Sequence, residues 1–296
     1  MSVQVPASFE YVVASSLDDA VNRLAKDDDA RVMAGGHSLL PMMKLRLASP
    51  GTIVDISALE PQLRYITADG DALRIGALST HRDVLEAPLV AQRARLLVDA
   101  ERMIADPLVR NMGTVGGSVA HADAAEDLAA ALVALDASVS VRGPNGSRDI
   151  ALAGLYVGPY TTVLEAGEII TEIRVPRAVR FSAYLKVERR AGDWSAAAVG
   201  VSCDLREGTL SGVRIGMCAV GPTTLRAKTA EALLEGKKPE GDLLRKAGEA
   251  AAAEADPVDD ARGDAAFKRG LLKVLVPRAF ERALSAGANG STFHAN

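Results

Sequence analysis

The sequence predicts an α+β protein: a two-part N-terminal domain of mixed strands and helices, then a C-terminal domain of a three-stranded antiparallel sheet and three helices. Three observations predict it. Strand, helix and strand follow one another within a short span near the N-terminus. Two hairpin signals then flank an apolar, Ala/Leu-rich helical stretch. Beyond Pro176 the pattern changes to three successive strands followed by helical periodicity.

"SSLDDAVNRLA" opens with Ser16 as a helix cap and puts Leu17, Ala20, Val21 and Leu24 on one face. "ARVMA" reads as a short buried strand, "SLLPMMKLRLA" as a helix and "GTIVDI" as a second strand, together a small parallel βαβ-type unit. "LRYITADGDALRIGALS" is a hairpin in which Asp69-Gly70 is expected to supply two positive-φ turn positions. "RDVLEAPLVAQRARLLVDAERMI" reads as two helical pieces broken near Pro88, and "EDLAAALVALDA" as a buried helix. "SVSVRGPNGSRDIAL" is a hairpin around Asn145-Gly146, and "EIITEIRVP" a strand stopped by Pro176. The predicted division is 1–177, with parts at about 1–57 and 58–177, then 178–288, then a frayed tail, 289–296. In the second domain "AYLKVER", "SAAAVGVSCDL" and "LSGVRIGMCAVG" are the strands. "TTLRAKTAEALLEG", "GDLLRKAGEAAAAEA" and "DAAFKRGLLKVLVPRAFERALSAG" are the helices.

Composition removes several functions. A net charge of −4 gives no footprint for nucleic acid or an anionic membrane surface. The two cysteines, Cys203 and Cys218, form no CxxC, which argues against a disulfide framework or a structural zinc site and for two small buried apolar residues. His81, His121 and His294 share no metal-ligand spacing, so no metal is assigned. The N-terminus lacks the basic and apolar regions of a signal peptide, and no apolar run of about 18 residues occurs, so a cytoplasmic protein without a transmembrane segment is expected.

Two glycine segments carry the chemistry. "MAGGHSLL" places Gly35-Gly36 before His37 and Ser38; "NMGTVGGSVAHADAAEDL" places Gly113, Gly116 and Gly117 among Thr114 and Ser118, with Asp123 and Asp127 beyond. Glycine has no Cβ, so its backbone N–H groups approach an anion closely and adopt left-handed angles. The hydroxyls of Thr114, Ser38 and Ser118 could donate to phosphate oxygens, and a following helix start favours negative charge. Two such clusters suit a diphosphate gripped from two sides. Each alone is equally an ordinary turn, and neither a G-x-G-x-x-G nor a Walker A sequence occurs.

"AGGHSLLPMMKLRLA" and "GTVGGSVAHADAAEDLAA" resemble the flavin-binding medium subunits of the molybdenum hydroxylases, the family of aerobic carbon monoxide dehydrogenase and xanthine dehydrogenase. The resemblance extends to "LKVERRAGDWSAAAVGV" and "DARGDAAFKRGLL", nearly the whole chain. It implies a two-part FAD-binding domain of the vanillyl-alcohol-oxidase (PCMH) type and a C-terminal flavoprotein domain. It also implies FAD at named positions. Val32, Met33, Ala34, Gly35, Gly36, His37, Ser38 and Leu39 would wrap the pyrophosphate; Thr114, Val115, Gly116, Gly117 and Ser118 would take its other side and the ribityl chain. Asp127, with Asp123 beside it, would bond the ribityl or flavin region, and Ile104 and Ile170 would lie near the adenine. Lys186 would stand near the isoalloxazine, where a positive charge favours the reduced ring, and Trp194 beside the ring. Plainer alternatives stay open: Ile104 and Ile170 as core, Asp127 as a helix cap, Lys186 as a solvated strand residue, Trp194 as core or interface, His37 as a turn residue. Ala124 and Ala129 replace prolines common in relatives, and Ser118 replaces an asparagine, departures expected to loosen the loop and trade one amide for a hydroxyl.

The resemblance further implies partners: a large molybdopterin-binding subunit and a small [2Fe–2S] subunit, in a dimer of heterotrimers. Electrons would reach FAD here and leave to a quinone, another carrier or NAD⁺. No residue of this chain stands out as an acid–base catalyst. Two cysteines cannot hold a Cys₄ cluster, which agrees with iron–sulfur chemistry on another chain. Two other readings compete: a stand-alone FAD oxidoreductase with its own substrate, and a non-catalytic nucleotide-binding or assembly module.

Overall fold

A computed structural model describes residues 5–288. The predicted tail and His294 lie outside the described residues. The N-terminal lobe is built from β1 (Glu10–Val13), α1 (Leu17–Lys26), β2 (Ala30–Met33), α2 (Leu39–Lys44), β3 (Thr52–Asp55) and α3 (Glu60–Leu63). Its sheet is parallel, in the order β1-β3-β2. Ser16 caps α1 by accepting the Asp19 N–H, and Ala20, Val21 and Leu24 turn inward beside Val54 and Ile56. β1 is an addition to the predicted βαβ unit. Its residues are mostly exposed, so no apolar alternation announces it; backbone pairing with β3 makes it a strand.

The second part begins with the hairpin β4 (Ile66–Asp69) and β5 (Ala72–Gly76). The register pairs Asp69 with Ala72, so the loop is Gly70-Asp71, and only Gly70 is left-handed, at φ +57°. This corrects the expected Asp69-Gly70 pair: Asp69 still belongs to the ladder. Helices α4 (His81–Glu86), α5 (Pro88–Arg93) and α6 (Arg95–Glu101) follow, three pieces instead of two. The extra break falls at Ala94, where φ −142° and ψ 57° leave the helical region. Next come α7 (Pro107–Met112), α8 (Val115–His121) and α9 (Asp127–Ala134), then β6 (Ser138–Gly143), β7 (Gly146–Ala151), β8 (Tyr156–Gly158), β9 (Thr161–Thr162) and β10 (Ile169–Val175). The five-stranded sheet runs β4-β5-β10-β6-β7, with a bulge between Ile170 and Glu172.

The C-terminal domain holds β11 (Phe181–Val187), β12 (Ala197–Arg206), β13 (Thr209–Cys218) and a two-residue β14 (Leu225–Arg226), then α10 (Lys228–Leu234), α11 (Gly241–Glu254) and α12 (Ala265–Ala288). The predicted three strands therefore gain a short fourth at the edge. Its apolar core lies between this sheet and the helices.

Helix α9 joins the halves. All eight of its residues are buried, because one face meets α6 and the other lies on β12 and β13. Gly216 makes that approach available: a Cβ there would stand 2.1 Å from the Ala130 carbonyl oxygen. Tyr184, Ala198 and Cys218 of the C-terminal sheet thus belong to the same core as Leu128 and Leu132 of α9. The N-terminal end of α9, with Asp127, is held against β11.

Candidate functional site

The first glycine segment follows β2 and leads into α2. Gly36 is left-handed at φ +72°. Among the described residues, no protein acceptor serves the backbone N–H of Gly35, Gly36, His37 or Ser38. Consecutive free N–H groups around a left-handed residue form the concave arrangement that holds anions. His37 is exposed, and its Nδ1 lies 2.9 Å from the Gly35 carbonyl oxygen, closing the turn. Val32, Met33, Ala34 and Leu39 are half-buried around it.

The second segment meets the first directly. A Cβ on Gly35 would sit 2.1 Å from the Met112 carbonyl oxygen and 2.9 Å from the Gly113 Cα. The glycine is required there because the two backbones touch. The Gly116-Gly117 pair is no turn, however: it occupies the first turn of α8, whose cap is Thr114. Glycine weakens a helix by about 1 kcal/mol, but packing decides here. A Cβ on Gly116 would fall 2.5 Å from the Ala77 Cβ, so only glycine lets α8 lie on the segment after β5. The amides of this motif are already engaged: Val115 donates to Ser79, Gly116 to Ala77, Gly117 to the Thr114 hydroxyl and Ser118 to the Thr114 carbonyl. The donors that stay free are those of the first segment; the second supplies the wall.

The remaining candidates divide. Asp127 is buried, and its carboxylate accepts from the Tyr184 hydroxyl at 2.6 Å, the Ser195 hydroxyl at 2.7 Å and the Lys186 ammonium at 2.8 Å. Lys186 also donates to the Met103 carbonyl at 2.9 Å and makes an ionic contact with Glu188 at 3.1 Å. Its side chain is enclosed between two carboxylates, fastening β11 to the backbone that follows α6. Burial opposes charge on Lys186, but Asp127 outweighs it and raises the ammonium above its ordinary value. Burial likewise raises Asp127, against the pull of Lys186. Asp123 accepts from the Ala125 amide and the Tyr160 hydroxyl, and His121 stacks on Tyr160 with ring centres 5.1 Å apart. Ile104 and Ile170 are buried in the main core. Trp194 is 43% exposed, on the loop whose Gly192 lies against the Ala105 carbonyl.

Several residues outside the predicted set complete the surroundings. Tyr184 and Ser195 fix Asp127, and the buried pair His81 and Glu101 packs behind Gly113, with Glu126 at the cap of α9. Two acids within apolar helical sequence, "LVDAERMI" and "AAEDLAA", were the available signal. Buried acids demand partners, but the partners lie too far along the chain to be named.

Two comparisons with known families match in succession: FAD binding domain in molybdopterin dehydrogenase over residues 7–178, and CO dehydrogenase flavoprotein C-terminal domain over residues 182–283. The carbon monoxide dehydrogenase medium chain of Hydrogenophaga pseudoflava is 40% identical, over 94% of this chain and 98% of that one. The nicotine 6-hydroxylase medium subunit of Paenarthrobacter nicotinovorans is 36% identical, over 93% and 97%. The solved carbon monoxide dehydrogenase of Hydrogenophaga pseudoflava superposes with a TM-score of 0.93 at 41% identity, covering 95% of this chain and 99% of that one. The free amides of Gly35–Ser38 and the Cβ-free contact at Gly35 fit a diphosphate. The chain belongs to the FAD-binding family of the molybdopterin dehydrogenases, as an oxidoreductase flavoprotein subunit with FAD as its cofactor.

Proposed function

We propose that this chain is the FAD-carrying medium subunit of an aerobic carbon monoxide dehydrogenase-type molybdenum hydroxylase, working in the cytoplasm. It receives electrons from [2Fe–2S] clusters on a small subunit and passes them to an external acceptor such as a quinone. A large molybdopterin subunit performs the hydroxylation, and the three chains pair as a dimer of heterotrimers. The observation that carries this reading is the row of unpartnered amides at Gly35–Ser38, in a chain that aligns end to end with a carbon monoxide dehydrogenase medium chain. FAD supplies the electron chemistry when bound. The chain's residues do the rest. Gly35, Gly36, His37 and Ser38 donate backbone N–H groups to the diphosphate, and Thr114 to Ser118 wall the far side. Lys186 and Asp127 fix the two domains around the site.

A second reading keeps the same role but makes the substrate an aromatic heterocycle, as the resemblance to the nicotine 6-hydroxylase subunit suggests. Similar identities to relatives named for different substrates fit a chain that does not choose the substrate. Among the described residues, no helix is long and apolar enough to cross a membrane. The test is purification of the tagged chain from its native host. A large molybdenum-containing and a small iron–sulfur chain, with a carbon monoxide-reducible flavin band, support the proposal. A flavin in the lone chain that is reduced by a substrate without partners overturns it.

A further inference from the structure

The second glycine segment rests on a buried, titratable pair. His81, the first residue of α4, is 4% exposed, and its backbone N–H donates to the Gly113 carbonyl at 3.0 Å. The ring lies against the same glycine: a Cβ there would stand 3.0 Å from Cδ2 and 3.5 Å from Nε2. Nδ1 is 2.9 Å from Glu101 Oε2, and Nε2 makes no hydrogen bond among the described residues. Glu101 is fully buried, and its Oε1 has no partner. Gly113 and Met112 form the strip of backbone against which Gly35 presses. His81 is therefore one residue contact away from the four free amides. A diphosphate brings two negative charges to a place where residues 32–39 and 113–118 contain no Lys or Arg. Arg110, close by, is turned to the Ile104 and Ala105 carbonyls.

We propose that His81, paired with Glu101, is a positioning residue for FAD: its backbone N–H and ring packing hold the Met112-Gly113 backbone beneath Gly35, and as an imidazolium it lends positive potential to the diphosphate, so FAD is held more tightly while His81 carries its second proton. The groups facing it come from every neighbouring element: Glu101 from α6, Arg110 from α7, and Glu126 from the cap of α9, whose carboxylate takes the Ser118 hydroxyl of α8. Asp127 acts on Glu101 in turn. Burial opposes charge on His81, but Glu101 first and Glu126 second outweigh it, with Arg110 opposing them, and the imidazole is held above its ordinary value. The sign follows. The extra FAD affinity is present at acid pH and is lost as pH rises through the raised value.

The inference rests on the chain binding FAD, which wild type at about pH 6 tests by itself. The experiment titrates the full chain with FAD by flavin fluorescence from about pH 5.5 to pH 9.5. Wild type, His81→Gln, Glu101→Gln and Glu126→Gln are compared, with unfolding temperature recorded alongside. The expected wild-type result is a Kd that rises about tenfold between the two ends. His81→Gln binds weakly and shows no step. Glu101→Gln preserves an acceptor for Nδ1 but moves the step to lower pH, and Glu126→Gln retains the step. A wild-type affinity independent of pH overturns the proposal, as does a step unmoved in Glu101→Gln. Should His81→Gln not fold, the wild-type and Glu101→Gln profiles decide alone. No FAD binding at any pH overturns the FAD assignment itself, and the proposal with it.

Discussion

Gly35→Ala tests the contact between the glycine segments with one methyl group. The new Cβ would lie 2.1 Å from the Met112 carbonyl oxygen and 2.8 Å from its carbon, both backbone atoms that cannot rotate aside. Ordinary contact needs about 3.4 Å or more, so the segments must separate by more than about 1 Å. A hydrogen bond set at about 2.9 Å does not survive such a shift. If two of the four free amides lose their grip on the diphosphate, at about 1.5 kcal/mol each for a charged acceptor, affinity falls by about 3 kcal/mol. That is roughly a hundredfold in Kd. The assay is FAD titration of the purified chain, with circular dichroism and thermal unfolding to show that the fold persists. Gly70→Ala is the control: its site is left-handed, unlike that of Gly35, and nothing lies within 4 Å of the added Cβ. It should lose about 1 kcal/mol of stability and keep its FAD. A Gly35→Ala chain that binds FAD within threefold of wild type would refute the reasoning.

Three further outcomes are expected. Gly36→Val forces a β-branched residue to φ +72° and should release FAD while the fold persists, because the atoms nearest the added Cβ belong to the movable side chains of Leu40 and Met33; unchanged flavin content would contradict this. Lys186→Met leaves the buried Asp127 and the half-buried Glu188 without their cation, a loss of about 3–5 kcal/mol at neutral pH. The loss should shrink at about pH 5 as the Asp127 carboxyl, raised by burial, takes up a proton, and urea midpoints displaced equally at both pH values would count against it. Glu126 is raised to about 7 by burial, with His81 and the Ser118 hydroxyl bond pulling it down. A raised carboxyl stabilises the fold below its unfolded value of 4.5 and loses that contribution as pH climbs through about 7. Glu126→Gln should therefore be more stable than wild type at pH 8, by up to about 3 kcal/mol, and no more stable below pH 5; equal unfolding curves at pH 8 would exclude this.

Local chemistry was legible in the sequence, and long-range chemistry was not. Ser16 reads as a cap because its hydroxyl serves Asp19, three residues on. Both hairpins lie where their Gly and Asn residues put them, but each loop is shifted by a ladder register no local signal specifies: the first is Gly70-Asp71, and the second is Pro144-Asn145 instead of Asn145-Gly146, because Gly146 pairs with Gly143. The Gly35-Gly36 turn was visible because one left-handed position needs glycine. Gly116-Gly117 looked like a second turn, since glycine disfavours helices; the contact with Ala77 that reverses this preference lies 39 residues away in sequence, between positions 77 and 116. Strand β1 escaped because its residues are mostly exposed and show no apolar alternation. Asp127 was singled out by resemblance, but its partners Tyr184, Lys186 and Ser195 come from another domain and meet it only because Gly216 lets the C-terminal sheet sit on α9. His81 stood in the sequence as a histidine without metal-ligand spacing. Its role depends on Glu101, two helices later, and on a glycine it touches.

Amide hydrogen exchange of the full chain, with and without FAD, bears most directly on where the cofactor's phosphates sit. The N–H groups of Gly35, Gly36, His37 and Ser38 have no acceptor among the described residues and should exchange rapidly alone, then slow by at least about tenfold once FAD is bound. Val115 and Gly116, already bonded to Ser79 and Ala77, should change far less. FAD bound at full occupancy with the four amides still exchanging freely would contradict the account.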